Sequence, residues 1–255
     1  MDRDEIVLGT ETVLLAILFL LVALLYASVG QAGASGYLAA MGAFGLAPAA
    51  MKTTALSLNL LVAGIGTLQF WRRGLLSWRS FYPFAVLGFP FSLIGGAVQL
   101  PRHYYYPVVG VILLLSAVQM FRSARRNNAT QAPPPVQPPF IPALLTGAVI
   151  GFVSGTTGTG GGVFLAPVIL SMNWVSLRRT AAVTAVYNLL NSAAALMGAY
   201  SILGSVPQAL PIWLVAVGVG GTIGAFIGSR YLPDSALRYI LAVILLISGV
   251  KLALT

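Results

Sequence analysis

Apolar residues occupy this chain in long blocks, without the alternation of a half-buried strand or the polar face of a soluble helix. Residues 7–27, 84–98, 107–120, 212–227 and 239–254 approach or reach the roughly 20 residues that a helix needs to cross a bilayer. Strict apolar–polar alternation, the mark of an outer-membrane barrel, is absent. The pattern predicts an all-α membrane protein whose spans satisfy their own backbone groups. The first block follows Asp2, Asp4 and Glu5 in place of a basic cluster, so it reads as a retained span and not a cleaved signal.

Two kinds of interruption divide the blocks. One is short and rich in arginine: "WRRGLLSWR" (71–79), "FRSARR" (121–126), "SLRR" (176–179) and "GSRYLPDSALR" (228–238). The other is rich in glycine and hydroxyls: "SVGQAGASGYLAAM" (28–41) and "SGTTGTGGGVFLAP" (154–167). A polar, proline-rich stretch, "SARRNNATQAPPPVQPP" (123–139), has the composition of a linker. It separates an N-terminal repeat (1–122) from a C-terminal one (140–255).

Laid over each other, the halves share an order of parts. "LGFPFSLIGGAVQLP" (87–101) falls on "VGVGGTIGAFIGSRYLP" (217–233), "KTTALS" (52–57) on "RTAAVT" (179–184), and the two glycine stretches on one another with Gly36 over Gly162. Composition then adjusts the picture. The chain of 255 residues is 58% hydrophobic and 7% charged, with a formal charge of +9. The arginines lie in the connections, where the positive-inside rule accounts for them without nucleic acid. Connections 72–79 and 122–126 then face the cytoplasm, the 99–104 turn faces outward, and 230–238 faces inward. That assignment gives the halves opposite orientation, with both termini outside. It requires an odd number of crossings per half, or a glycine segment that enters and leaves on one side followed by three crossings. Inverted repeats are a transporter layout, with the substrate expected at mid-depth where they meet.

The glycine stretches explain themselves in that frame. Segments 140–155, 161–172 and 37–46 read as shorter than a full crossing, and the glycines between them read as a helix break. Five glycines fall within residues 155–162, more than close packing requires, although Gly88, Gly96, Gly220, Gly224 and Gly228 fit a packing role. A helix restarting near Gly160–Val163 would offer unpaired N–H groups and a positive dipole end to a small anion. A phosphate-cradling loop does not fit, because no lysine follows the glycines.

The polar inventory agrees with an anion. The five carboxylates are Asp2, Asp4, Glu5, Glu11 and Asp234, none of them placed at mid-depth, whereas cation carriers and proton relays usually keep an acid there. The candidate substrate-binding residues are Gln31, Gly33, Ser35, Gly36 and Asn59 in the first half. In the second they are Thr157, Gly158, Thr159, Gly160, Gly161, Gly162, Tyr187, Asn188 and Asn191. Lys52 and Arg179, at matched helix starts, fit either direct contact or snorkelling to the interface. Ser28, Ser57, Gln69, Gln99, Thr156 and Thr184 are further polar groups that fit either a ligand or a neighbouring helix. There is no cysteine and a lone histidine, His103, so a metal site is not expected. No paired carboxylates and no Ser/His/Asp set occur within the spans, which argues against an enzyme.

The "GFVSGTTGTGGGVFLAPVIL" opening of the second half, the "RRTAAVTAVYN" helix after it and the "GAFIGSRYLPDSALR" ending together resemble the sulfite exporter TauE/SafE family of bacterial permeases. The likeness spans about residues 28–252. In the first half the pattern is degraded, with Ala32 and Ala34 in the places of Gly158 and Gly160 and Met41 in that of the proline. The resemblance implies about eight transmembrane helices, a sharply bent opening segment in each half and a homodimer. It also implies export of sulfite, organosulfonates or related small anions across the bacterial inner membrane, with no cofactor. An anion channel and an importer of neutral organosulfur compounds are the alternatives.

Overall fold

The computed structural model describes residues 3–28, 31–125, 137–172, 174–203 and 207–228, together with single positions between 239 and 253. The 230–238 turn with Arg230, Asp234 and Arg238, and linker positions 126–136, lie outside the described residues. Among the described residues the regular secondary structure is all helix, without strands. The elements are α1 (Arg3–Ser28), α2 (Ala34–Ala43), α3 (Pro48–Arg72), α4 (Trp78–Ala97), α5 (Arg102–Arg125), α6 (Phe140–Thr157), α7 (Gly162–Ser171), α8 (Leu177–Leu203) and α9 (Leu210–Gly228). Helix α5 runs three residues past the boundary expected at 122, since Ser123, Ala124 and Arg125 continue its last turn.

Among the described residues five helices are long and apolar enough to cross a membrane: Gly9–Ser28, Pro48–Arg72, Trp78–Ala97, Phe140–Thr157 and Arg179–Tyr200. The fourth corrects the expectation that 140–155 falls short of a crossing, because α6 continues to Thr157 before its cap. Helices α2 and α7 have 10 residues each, about 15 Å at 1.5 Å per residue, half the apolar thickness of a bilayer. Two thirds (67%) of the most apolar window of α8 is buried, against 28% for α1. The α8 helix is therefore central, and α1 turns Val13, Leu14, Ile17 and Leu21 outward.

Helix directions follow from the close approaches of glycines. Gly147, Gly151 and Gly155 of α6 lie on the carbonyls of Phe84, Gly88 and Ser92 of α4, a four-residue spacing on both sides, so α4 and α6 are parallel. Gly220 and Gly224 of α9 lie in the same way on Leu20 and Leu24 of α1. Gly88 meets Tyr187 and Gly96 meets Ala195, which makes α4 and α8 parallel. Asn59 bonds to Ser192 and Gly66 faces Ala185, so α3 and α8 are antiparallel.

Each short helix doubles back. Gly36 of α2 rests on Val22 and Tyr26 of α1, and the Tyr37 ring meets Phe19 edge-on at 5.5 Å. Trp174, just beyond α7, reaches Phe84 at 5.9 Å, the level at which Gly147 of α6 contacts α4. The pairs α1–α2 and α6–α7 are thus helical hairpins whose tips lie inside the molecule. The glycines expected to pack do so at Gly88, Gly96, Gly220 and Gly224.

Candidate substrate site

The tip of the second hairpin is built on glycine conformation. Gly158 ends α6 at φ 84° with its N–H donated to the Ser154 carbonyl at 2.8 Å, and Gly160 and Gly161 both stand at φ 79° before α7 begins at Gly162. A residue with a Cβ pays roughly 1–2 kcal/mol in this left-handed region. In the first hairpin Gly33, at φ 96°, is the N-cap of α2.

Asparagines from the next helix close both tips. The N–H of Ala34, first residue of α2, donates to Asn59 Oδ1 on α3 at 3.1 Å. The N–H of Gly162, first residue of α7, donates to Asn188 Oδ1 on α8 at 2.7 Å. Asn59 Nδ2 then donates to Ser192 Oγ of α8 at 2.7 Å, and Asn191 Nδ2 to Ser154 Oγ of α6 at 3.2 Å. Any Cβ at Gly160 would strike the Asn59 amide, and one at Gly162 the Asn188 amide. One at Gly161 would lie 2.9 Å from Asn191 Nδ2. Asn59, Asn188, Asn191 and Ser192 are all buried. The second tip therefore touches both α3 and α8, with amides and main chain facing each other and no carboxylate among the described residues of the cluster.

These bonds correct two expectations. The restarting helix does not present Gly162 as a bare donor, because Asn188 already accepts from it; the N–H groups of Gly160, Gly161 and Val163 have no acceptor among the described residues. The alignment of the halves also shifts. The N-cap glycines Gly33 and Gly161 correspond, and so do the capping asparagines Asn59 and Asn188, which displaces the pairing of Gly36 with Gly162.

The remaining candidates fall into distinct places. Thr157 and Thr159 share a hydroxyl contact at 3.1 Å beside the turn. The Tyr187 hydroxyl donates to the Gly147 carbonyl at 2.7 Å, which ties α8 to α6 and leaves the ring against Gly88 and Gly161. Ser35 pairs with Tyr26 at 3.0 Å, and Gly33 and Gly36 are covered by Tyr37 and Tyr26. Gln31 is half-buried at the first tip. Ser28, Ser57, Thr156 and Thr184 bond to carbonyls of their own helices. Arg179 is exposed at the start of α8, away from the cluster, whereas Lys52 is 4% exposed; the two cations thus do not occupy equivalent places. Sequence reading passed over Ser154 and Ser192. Ser192 follows Asn191 and lies one helical turn from Asn188, a spacing that places both on one face.

A sequence profile of the sulfite exporter TauE/SafE family matches residues 15–252. The "Probable membrane transporter protein y4hK" of Sinorhizobium fredii (strain NBRC 101917 / NGR234) is 60% identical over 245 residues, covering 96% of this chain and 99% of the relative. No solved structure matches.

Proposed function

The chain belongs to the sulfite exporter TauE/SafE family and is a membrane transporter, and from that premise we propose that it exports a small sulfur-containing or organic anion, such as sulfite or an organosulfonate. The cargo is held at the α6–α7 turn, against Asn59, Asn188 and Asn191, and carriage proceeds by alternating access. The observation that carries this reading is the turn itself. Its glycines bring main-chain N–H groups against three buried side-chain amides, a donor-rich and acid-free surface suited to an oxyanion. Thr157, Thr159 and Tyr187 border it. Gln31, Gly33, Ser35 and Gly36 form the corresponding tip of the first half.

The repeats are inverted in this proposal, and two features support that. The α3 and α8 helices hold matching positions in the two halves and pack antiparallel. The pairing of α1 with α9 repeats that of α6 with α4 when the halves are exchanged. Each half then contributes a re-entrant hairpin and three crossings, about eight membrane elements in all. The arginine-bearing ends of α3 and α5 and the starts of α4 and α8 come to one side. Exposed Trp71 and Trp78 flank Arg72, Arg73 and Arg79 there, as expected of a cytoplasmic interface in the bacterial inner membrane. Hairpin α6–α7 enters from that side and α1–α2 from the other.

The test is flux into proteoliposomes of purified protein, with sulfite and methanesulfonate as probes. Saturable anion movement that Asn188→Ala suppresses is the expected result. No saturable movement of either anion would overturn the cargo, and ohmic current would overturn alternating access.

A further inference from the structure

Lys52 has three donors and all are occupied. Its Nζ lies 3.1 Å from the carbonyl oxygen of Gly95, 2.7 Å from that of Gly96 and 2.8 Å from that of Val98, the last turn of α4 and its C-cap. Helix ends leave such carbonyls without intrahelical partners, and an ammonium placed among them also meets the negative end of the helix dipole. On its other side the lysine supports the substrate turn: a Cβ on Gly158 would lie 3.2 Å from Lys52 Cα and 3.3 Å from Cγ. Tyr105 holds the same turn by donating to the Thr157 carbonyl at 2.9 Å.

Hydrogen bonds to carbonyls lower the cost of burying the ammonium without cancelling its charge. A buried cation is normally compensated by an acid, yet no described carboxylate pairs with Lys52. The sequence offers few: Asp2, Asp4, Glu5, Glu11 and Asp234 all lie near the N-terminus or in the 228–238 connection. Among the described residues a net positive charge is therefore fixed inside the protein, against the backbone of Gly158, with its donors already occupied.

Building on the proposed anion site, we propose that Lys52 is the residue that makes this site selective for anions, acting as a positioning residue through its charge and through α4 without touching the cargo. The missing countercharge is the transported anion. Arg179, exposed at the start of α8, has no such part.

The experiment measures dissociation constants of the purified full chain for methanesulfonate, an anion, and dimethyl sulfone, its neutral counterpart of similar shape. The parent chain is expected to favour the anion on the order of tenfold, the attraction of one fixed charge roughly 12 Å away at an effective dielectric constant of about 20. In Lys52→Gln that ratio is expected to fall to near one with dimethyl sulfone affinity kept, and in Lys52→Arg the ratio is expected to survive. A ratio retained in Lys52→Gln, a parallel loss of both affinities there, or a ratio lost in Lys52→Arg would overturn the role of the charge. A parent chain that binds the two probes alike, or neither, would overturn the anion-site reading and this inference with it.

Discussion

At the scale of the residue, the site depends on backbone angles that only glycine adopts cheaply and on amides that must supply a particular atom. Gly160 stands at φ 79° with the Asn59 and Asn188 amides on the side where a Cβ would go. Gly160→Ala therefore meets left-handed strain of roughly 1–2 kcal/mol as well as a collision. The expected outcome is a loss of anion flux of about tenfold or more, measured as initial rate per amount of reconstituted protein, in a chain that still elutes as a single species. Asn188 separates structure from chemistry. Asn188→Ala leaves the Gly162 N–H without its acceptor, a buried loss of about 1–3 kcal/mol, and is expected to lower the thermal midpoint. Asn188→Asp restores the acceptor and the midpoint but sets a carboxylate against the turn, so anion flux stays suppressed. Recovery of flux in Asn188→Asp would refute an anion at this place. Much of this was legible: the glycines, Asn59, Asn188 and Asn191 stand out as polar groups in apolar sequence. Their assignments were not, since a hydrogen bond spanning 133 positions, as from Asn59 to Ser192, leaves no local pattern.

At the scale of the element, glycine does a different job. Gly147, Gly151 and Gly155 recur every fourth residue on α6 and bring its backbone onto the α4 carbonyls, as in small-residue packing between membrane helices. That approach holds the hairpin against a helix of the other half. A leucine at Gly151 would meet the Gly88 carbonyl, and overpacking of this kind costs about 1–3 kcal/mol or more. Gly151→Leu is expected to reduce the yield of monodisperse protein on size exclusion. Gly9→Leu, at a position with nothing within 4 Å, is expected to leave it unchanged. Equal yields would show that the α4–α6 contact tolerates separation. The same residue type thus serves as turn at Gly158, Gly160 and Gly161 and as packing surface at Gly147, Gly151 and Gly155. Spacing hinted at the difference, and helix contact decided it.

At the scale of the whole molecule, the two hairpins enter from opposite faces in the proposed topology. The chain contains no cysteine, so single-cysteine variants report sidedness directly. Met172→Cys, just past α7, is expected to react with an impermeant thiol reagent from the cytoplasmic face, and Ala47→Cys, before α3, from the outer face. Labelling of both from one face would refute the inverted arrangement. Both positions are exposed.

Apolar blocks long enough to cross a bilayer, arginines confined to connections, two glycine interruptions and the absence of acids from the middle of the spans determined by themselves an all-helical membrane protein. Those properties depend on composition and on neighbours a few residues apart. The pairing of the halves depended on the fold: α1 on α9, α6 on α4, and α3 antiparallel to α8. So did the fates of the two cations. Lys52 is buried against Gly158 and the last carbonyls of α4, while Arg179 remains exposed, although both lie within five residues of the start of their helices. Local sequence specifies a charge and its helix, but burial is set by residues more than forty positions away that the chain brings alongside only when the halves interlock.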